Sequence, residues 1–230
     1  KVGYGIGGSR YTWRIATDHI QVGKPPLPCH PQLFQEVAAP WLTLQSNQGQ
    51  LFQGLLDRHP LLWKRLLKSP DEGSSFAYTV GDADNPTGYF IAHQGRKSGA
   101  AILTIRDWAA SSQLAMESIW SLVHQQRSQV DAVQWAGGAV DPLALALPEQ
   151  RARVTDVSHW MVRIADLKQA LEQRGYPLGI DGELHLEVSD SLVTKNHGRF
   201  LLEVHQGKGR LSSGGRGEVL LSIQTLASLF

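Results

Sequence analysis

FAYTVGDADNPTGYFIAHQGRKSGAAILTI, Phe76 to Ile105, decides the fold. Three runs of β-branched, aromatic and aliphatic residues, Phe76 to Val80, Gly88 to His93 and Ala100 to Ile105, are parted by DADNP and QGRKSG. Both separators are built from turn formers, so the stretch predicts an antiparallel meander of three strands. Upstream, from Trp41 to Leu67, apolar residues such as Leu51, Leu55 and Leu62 recur at helical spacing. DRHP at Asp57 to Pro60 divides two helices there: Asp57 or His59 suits the cap of the second and Pro60 its first turn, and SPDEG then turns the chain. Downstream, Ser111 to Gln126 reads as an amphipathic helix with Leu114, Ile119, Leu122 and Val123 on its buried face and Ser111 or Ser112 at its start.

The pattern continues with a strand at Val130 to Trp135 and a short helix in DPLALAL, Asp141 to Leu147. In TDVSHWMVRIADL, Trp160, Val162 and Ile164 share one strand face, and Asp166 opens a helix over Leu167 to Gln173 that stops at Arg174 and Gly175. Past Pro177 the text changes to hairpins. ELHLEV alternates Leu184, Leu186 and Val188 against Glu183, His185 and Glu187, Arg199 to Val204 repeats such a strand, KGRLSSGGRGEV supplies turns, and Ser222 to Phe230 begins a helix. The chain starts with KVGYGIGG, four glycines in eight residues, and runs into a strand at Tyr11 to Ile15. Lys24 to Pro31, with four prolines, reads as an extended linker.

Composition sets the class. A net charge of +1 in 230 residues gives no field that would gather nucleic acid, and no run of basic residues interleaved with aromatics compensates. The apolar stretches Gly99 to Ile105 and Val219 to Ile223 are far below the roughly 20 residues of a membrane span. The single cysteine, Cys29, excludes an internal disulfide, and a reducing, cytoplasmic setting is the expectation.

Helix, helix, three antiparallel strands, helix, strand, then strand and helix is an order that resembles the GCN5-related acetyltransferase fold. KVGYGIGGSRYTWRI is similar to the tail of that fold's last helix and following strand, LDRHPLLWKRLL and HWMVRIADLKQAL resemble a second copy, and the terminal hairpins resemble a sterol carrier protein domain. Together they resemble the enhanced intracellular survival (Eis) family of acetyltransferases. The resemblance implies an α+β chain cut at both ends: residues 1–16 as the tail of a first acetyltransferase domain, 17–31 as linker, 32–176 as a second acetyltransferase-like domain, and 177–230 as an incomplete sterol-carrier-like domain. It implies acetyl-CoA as donor, a small-molecule or peptide amine as acceptor, and a homo-oligomer.

The loop that would hold the donor's pyrophosphate in 32–176 is RDWAASSQLAMES, Arg106 to Ser118, and no glycine occurs between Gly99 and Gly137. The family's RxxGxG/A cradle is therefore unmatched, and this domain is expected to keep the fold without the cofactor. Within the chain, Gly3, Tyr4 and Gly5 are the candidate cofactor-binding residues, bordering the pantetheine end. The resemblance places the catalytic tyrosine before Lys1 and the catalytic terminal carboxylate beyond Phe230. Elsewhere plain readings prevail. Cys29 and His30, adjacent in sequence, do not form a nucleophile and base pair, and no histidine spacing suits a metal. Trp63, Trp120, Trp135 and Trp160 are expected in the core, and His185 and His205 in solvent. The alternative function is a lipid or small-ligand binding module of the sterol-carrier type.

Overall fold

A computed structural model of the chain describes residues 2–33, 39–51, 58–68 and 73–230. Asp57 as a helix cap, Leu55, and all of the SPDEG turn except Gly73 lie outside the described residues. The fold is mixed α/β in two compact units, Arg10–Val157 and Lys1–Ser9 with Ser158–Phe230. The elements of the larger unit are β1 (Gly5–Ala16, from Arg10 on), β2 (Cys29–Gln32), α1 (Ala39–Leu51), α2 (Pro60–Leu67), β3 (Ser74–Gly81), β4 (Pro86–Lys97), β5 (Ala100–Ala110), α3 (Gln113–Gln125), β6 (Ala132–Gly137), α4 (Pro142–Leu145) and β7 (Arg153–Val162, to Val157).

The meander forms as read: β3 pairs antiparallel with β4, and β4 with β5. α3 then carries the chain across to β6, which lies parallel to β5, and β1 closes against β6 in antiparallel register, giving the order β2-β3-β4-β5-β6-β1-β7. The helix ends obey ordinary capping rules. His59 accepts the Leu61 N–H ahead of Pro60, Ser112 accepts the Ala115 N–H, and Asp141 accepts the Ala144 N–H ahead of Pro142. Pro31 sits on the edge strand β2, where its missing N–H costs no ladder bond. The end of the proline-rich segment is thus a strand, with Cys29 opposite Val80. Burial pushes the Cys29 thiol up, away from thiolate, which agrees with an inert cysteine.

One face of this sheet packs Phe90, Leu103 and Ile105 against Ile119, Trp120 and Val123 of α3. The other packs Tyr89, Ile91 and Ala109 against Trp41, Trp63 and Leu67 of α1 and α2. Leu114, expected on the buried face of α3, is 50% exposed. It lies in the first turn, ahead of the Ala115, Ser118, Ile119 and Leu122 stripe that meets the sheet.

The smaller unit contains α5 (Leu167–Gln173), β8 (Gly182–Ser189), β9 (Gly198–His205), β10 (Lys208–Ser213), β11 (Val219–Ser222) and α6 (Ile223–Ala227). Its sheet runs β10-β9-β8-β11, antiparallel except for β11, which lies parallel to β8. Leu167 and Leu171 of α5 and Ile223 and Leu226 of α6 pack on Leu186, Val188, Phe200 and Leu202. The spaces found in it, about 250 and 290 Å³, are bordered by polar residues such as Ser189, His197 and Ser222, a poor match for a lipid chain.

Two expectations are corrected here. Trp160 is 53% exposed, because it lies across the bare backbone of Gly8 instead of under a helix. His185 is buried, at 6% exposure, because the loop at Gly214 to Gly217 folds over it and the Arg216 N–H donates to its Nδ1 at 3.1 Å. The same loop needs its glycines: Gly215 has φ +97°, and a Cβ there would come within 2.9 Å of His185 Nδ1.

Asn196, at 1% exposure, organises the turn before β9. Its Oδ1 accepts the Leu167 N–H at 2.9 Å, while its Nδ2 faces the carbonyls of Ile164 and Ala165 and the Asp190 carboxylate. Burial pushes the Asp190 carboxyl up, but donation from the Leu192 and Val193 N–H groups, Arg163 and Asn196 outweighs it and holds the pKa at about 2. A depressed carboxyl stabilises the fold above its unfolded pKa, near 3.9, and loses that contribution as pH falls toward 2. Hydrogen exchange at the Leu192 and Val193 amides should therefore quicken between pH 4 and 2.5 beyond the intrinsic trend. Asp190→Asn should abolish that pH dependence, and an unchanged profile in the variant would count against the carboxylate as its source.

Candidate functional site

β5 and β6 pair over only four residues, Ile102 to Ile105 against Ala132 to Trp135, and then part. Beside the last paired residue, Trp135, the core on the α3 side is rich in tryptophan. Trp13 stacks on its cross-strand partner Trp135 with centroids 6.3 Å apart, and Trp120 meets Trp135 edge-on at 5.4 Å. Each indole N–H is satisfied: Trp13 donates to Gly138 O, Trp120 to Leu143 O and Trp135 to Asp141 Oδ1, all at 2.8–2.9 Å. Trp108 packs against the same core. Asp141 also caps α4, and burial pushes its carboxyl up.

The start of α3 is closed as well. Ser112 serves its own helix, and the Ser111 N–H and hydroxyl both donate to Thr87 O. A groove of about 830 Å³ follows α3 between residues 21–26 and 142–148. Its lining pairs one lysine, Lys24, with one carboxylate, Glu117, among apolar residues such as Met116 and Leu145.

On the opposite face lies a group that sequence reading missed. Arg58 grips Asp107 with both terminal nitrogens, the second at 2.6 Å, and Tyr89 Oη donates to Asp107 Oδ2 at 2.6 Å. Trp63 carries the Arg58 guanidinium on its ring at 5.0 Å, and Trp41 stacks on Tyr89 while donating to Thr79 Oγ1. Burial pushes the Tyr89 phenol far up, with Asp107 adding to it, so the phenol stays protonated. Arg58 stays charged. With both Asp107 oxygens engaged, this is a charge-holding cluster without a free base. Its only sequence signal is RD inside the apolar run AILTIRDWAA.

Gly3 and Gly5 press against their own unit. Gly3 has φ +73°, and a Cβ on it would lie 1.6 Å from an Arg163 nitrogen; a Cβ on Gly5 would lie 2.3 Å from Gln224 O. Tyr4 between them is 43% exposed. The Phe230 ring receives the Arg174 guanidinium at 4.8 Å.

Residues 54–164 match the family described as acetyltransferase (GNAT) domain, and residues 167–230 match the sterol carrier protein domain. A GCN5-related N-acetyltransferase from Anabaena variabilis is 43% identical, with a TM-score of 0.90; the alignment covers 100% of this chain and 59% of that one. An uncharacterized N-acetyltransferase from Streptomyces griseus is 38% identical over 93 residues, 39% of this chain and 22% of the relative. Eis1 from Mycobacterium abscessus shares the fold at 21% identity and a TM-score of 0.66, again with 100% and 59% coverage. Residues 54–164 are thus similar to acetyltransferase (GNAT) domains and residues 167–230 to sterol carrier protein domains, and the chain spans about three-fifths of the length of the Anabaena protein.

Breaking the buried ion pair from one side strands a charge. Asp107→Ala should cost about 3–5 kcal/mol and Tyr89→Phe about 1 kcal/mol, measured by urea unfolding followed through tryptophan fluorescence. An Asp107→Ala loss below about 1 kcal/mol would show that the pair is solvated, as surface ion pairs are.

Proposed function

We propose that the chain is part of an acetyl-CoA-dependent N-acetyltransferase, acting on an amine of a small molecule or peptide, whose donor site is built outside these residues. The observation that carries this reading is the start of α3, which has no glycine and where the Ser111 N–H and hydroxyl are spent on Thr87 O and the Ser112 hydroxyl on its own helix. It is supported by the acetyltransferase domain match and by the greater length of the Anabaena and Streptomyces relatives. The organisation we propose is Eis-like: 1–16 ending a first acetyltransferase domain, 17–31 linking, 32–176 a cofactor-free second copy, and 177–230 the sterol-carrier-like part. The assembly is a homo-oligomer working in the cytoplasm, without nucleic acid. Among the described residues no helix is long and apolar enough to cross a membrane.

The transfer forms a bond between a neutral amine nitrogen and the acetyl carbonyl carbon, breaks the carbon–sulfur bond, and returns a proton to the departing thiolate. This chain's contribution is positional. We assign Gly3, Tyr4 and Gly5 to the edge of the donor site, at its pantetheine end. Because Gly3 and Gly5 are committed to packing, contact there falls to the exposed Tyr4 and to the backbone.

Calorimetry of the 230-residue chain with acetyl-CoA should show no binding, while protein extended upstream should bind and acetylate amines. In that longer protein, Tyr4→Ala should raise KM for acetyl-CoA several-fold with little change in kcat, as loss of uniform binding does. Tight binding of acetyl-CoA to the chain alone would place the donor site inside it and overturn the proposal.

A further inference from the structure

The strands β1, β6 and β7 border a cavity of about 420 Å³ lined by Arg14, Arg151, Arg153, His19, Asp131 and Thr155, among others. β7 is the neighbour of β1, and Thr155 Oγ1 donates to Thr12 O at 3.2 Å. Arg14 on β1 and Arg153 on β7 line the same space from these neighbouring strands. Like charges near each other on a sheet are destabilising unless a counter-charge meets them. Among the described residues neither the Arg14 nor the Arg153 side chain has a hydrogen bond or ion pair. Arg14 is moreover half-buried.

The remaining groups do not cancel this charge. Asp131, the one carboxylate in the lining, accepts the Ala101 N–H through Oδ2 at 2.7 Å and offsets one of the three arginine charges, which leaves the lining net positive. Arg151 reaches Glu149 at 3.0 Å, but both side chains are about half exposed, so the pair leaves Arg151 free to turn. His19 adds an imidazole at the rim. Three arginines, permanently charged, line a space at the lower end of the range that holds small ligands.

We propose that this cavity binds a small, multiply charged oxyanion, a phosphate- or carboxylate-bearing compound gripped by Arg14 and Arg153 with Arg151 as a third donor. A dianion can accept from both arginines, whereas a single carboxylate would neutralise only one. The volume suits a free small molecule.

The test is calorimetric titration of the 230-residue protein with inorganic pyrophosphate and, separately, with citrate, at ionic strength held constant with sodium chloride. Saturable binding of either is expected, the stronger ligand revealing whether phosphate or carboxylate is preferred. Arg14→Gln and Arg153→Gln should each weaken it about tenfold or more, the loss of one charge-assisted contact, while Arg210→Gln on β10 should leave it unchanged. In anion-free buffer Arg14→Gln should melt no lower than the unaltered protein, because repulsion is relieved. Amide shifts at Ala16 and Thr155 on titrating unaltered protein with pyrophosphate provide a readout that needs no variant. Absence of saturable binding, or equal weakening by Arg210→Gln, would overturn the proposal.

Discussion

A one-residue bulge in β5 decides what both faces of the larger sheet hold. Ile91 faces Asp107 and Ala92 faces Ile105, so Arg106 has no partner on β4. Side chains alternate along a strand, and one extra residue reverses their sense beyond it. Leu103 and Ile105 point to α3 before the bulge, and Trp108 and Ala110 do so after it. Asp107 is turned to the α1 and α2 face, where Tyr89 and Arg58 meet it. Arg106 follows the same way and donates to the carbonyls of Arg65 and Lys68 at the end of α2, a cation on the negative end of a helix. Without the bulge, Trp108 would face α2 and a carboxylate would face the apolar side of α3. Neither could be accommodated without loss of the packing on that side.

The tryptophan-rich core on the α3 side keeps every indole nitrogen paired. Trp13 and Trp135 are cross-strand partners on β1 and β6, Trp120 comes from α3, and each N–H has an acceptor. Asp141 serves two of these needs at once. It accepts from Trp135 and caps α4, and Gly137 is bare because a Cβ would stand 2.0 Å from its carboxylate. Strand order and crossover are thus fixed by core packing, which is separate from whatever chemistry a site on the framework performs.

The parts of this that were legible in the sequence are those governed by local rules. The meander, the α3 crossover, Asp166 before Leu167–Gln173 and Pro142 behind Asp141 follow from turn residues, periodicity and capping, each set by neighbours in the chain. The missing glycines in Arg106 to Ser118 were equally legible, and the proposal of a cofactor-free unit starts from them. What escaped depended on distant partners. Nothing near Arg106 in the text announces a bulge, so the Arg58–Asp107–Tyr89 group, drawn from three elements, could not be assembled. His185 alternates with leucines as a solvent-facing residue should, and is buried only because a glycine loop some thirty residues later folds onto it. Trp160 fails for the opposite reason: its pattern is that of a core residue, but the strand beside it presents glycine.

The glycines of the opening segment are required by close packing within the smaller unit. Arg163 donates to Val2 O at 2.7 Å and to both oxygens of Asp190 at 2.9 and 3.0 Å, so one guanidinium ties the first residues to the turn after β8. Its nitrogen occupies the place a Cβ on Gly3 would need, and α6 does the same to Gly5 through Gln224 and Ser228. Both glycines are thus required by the smaller unit itself, whatever else borders them. Alternation then leaves Tyr4 and Ile6 on the outer face of the segment, both exposed. A ligand that reaches this segment meets an aromatic ring and strand backbone, and the two glycines set where that ring stands without being free to touch the ligand through their packed side.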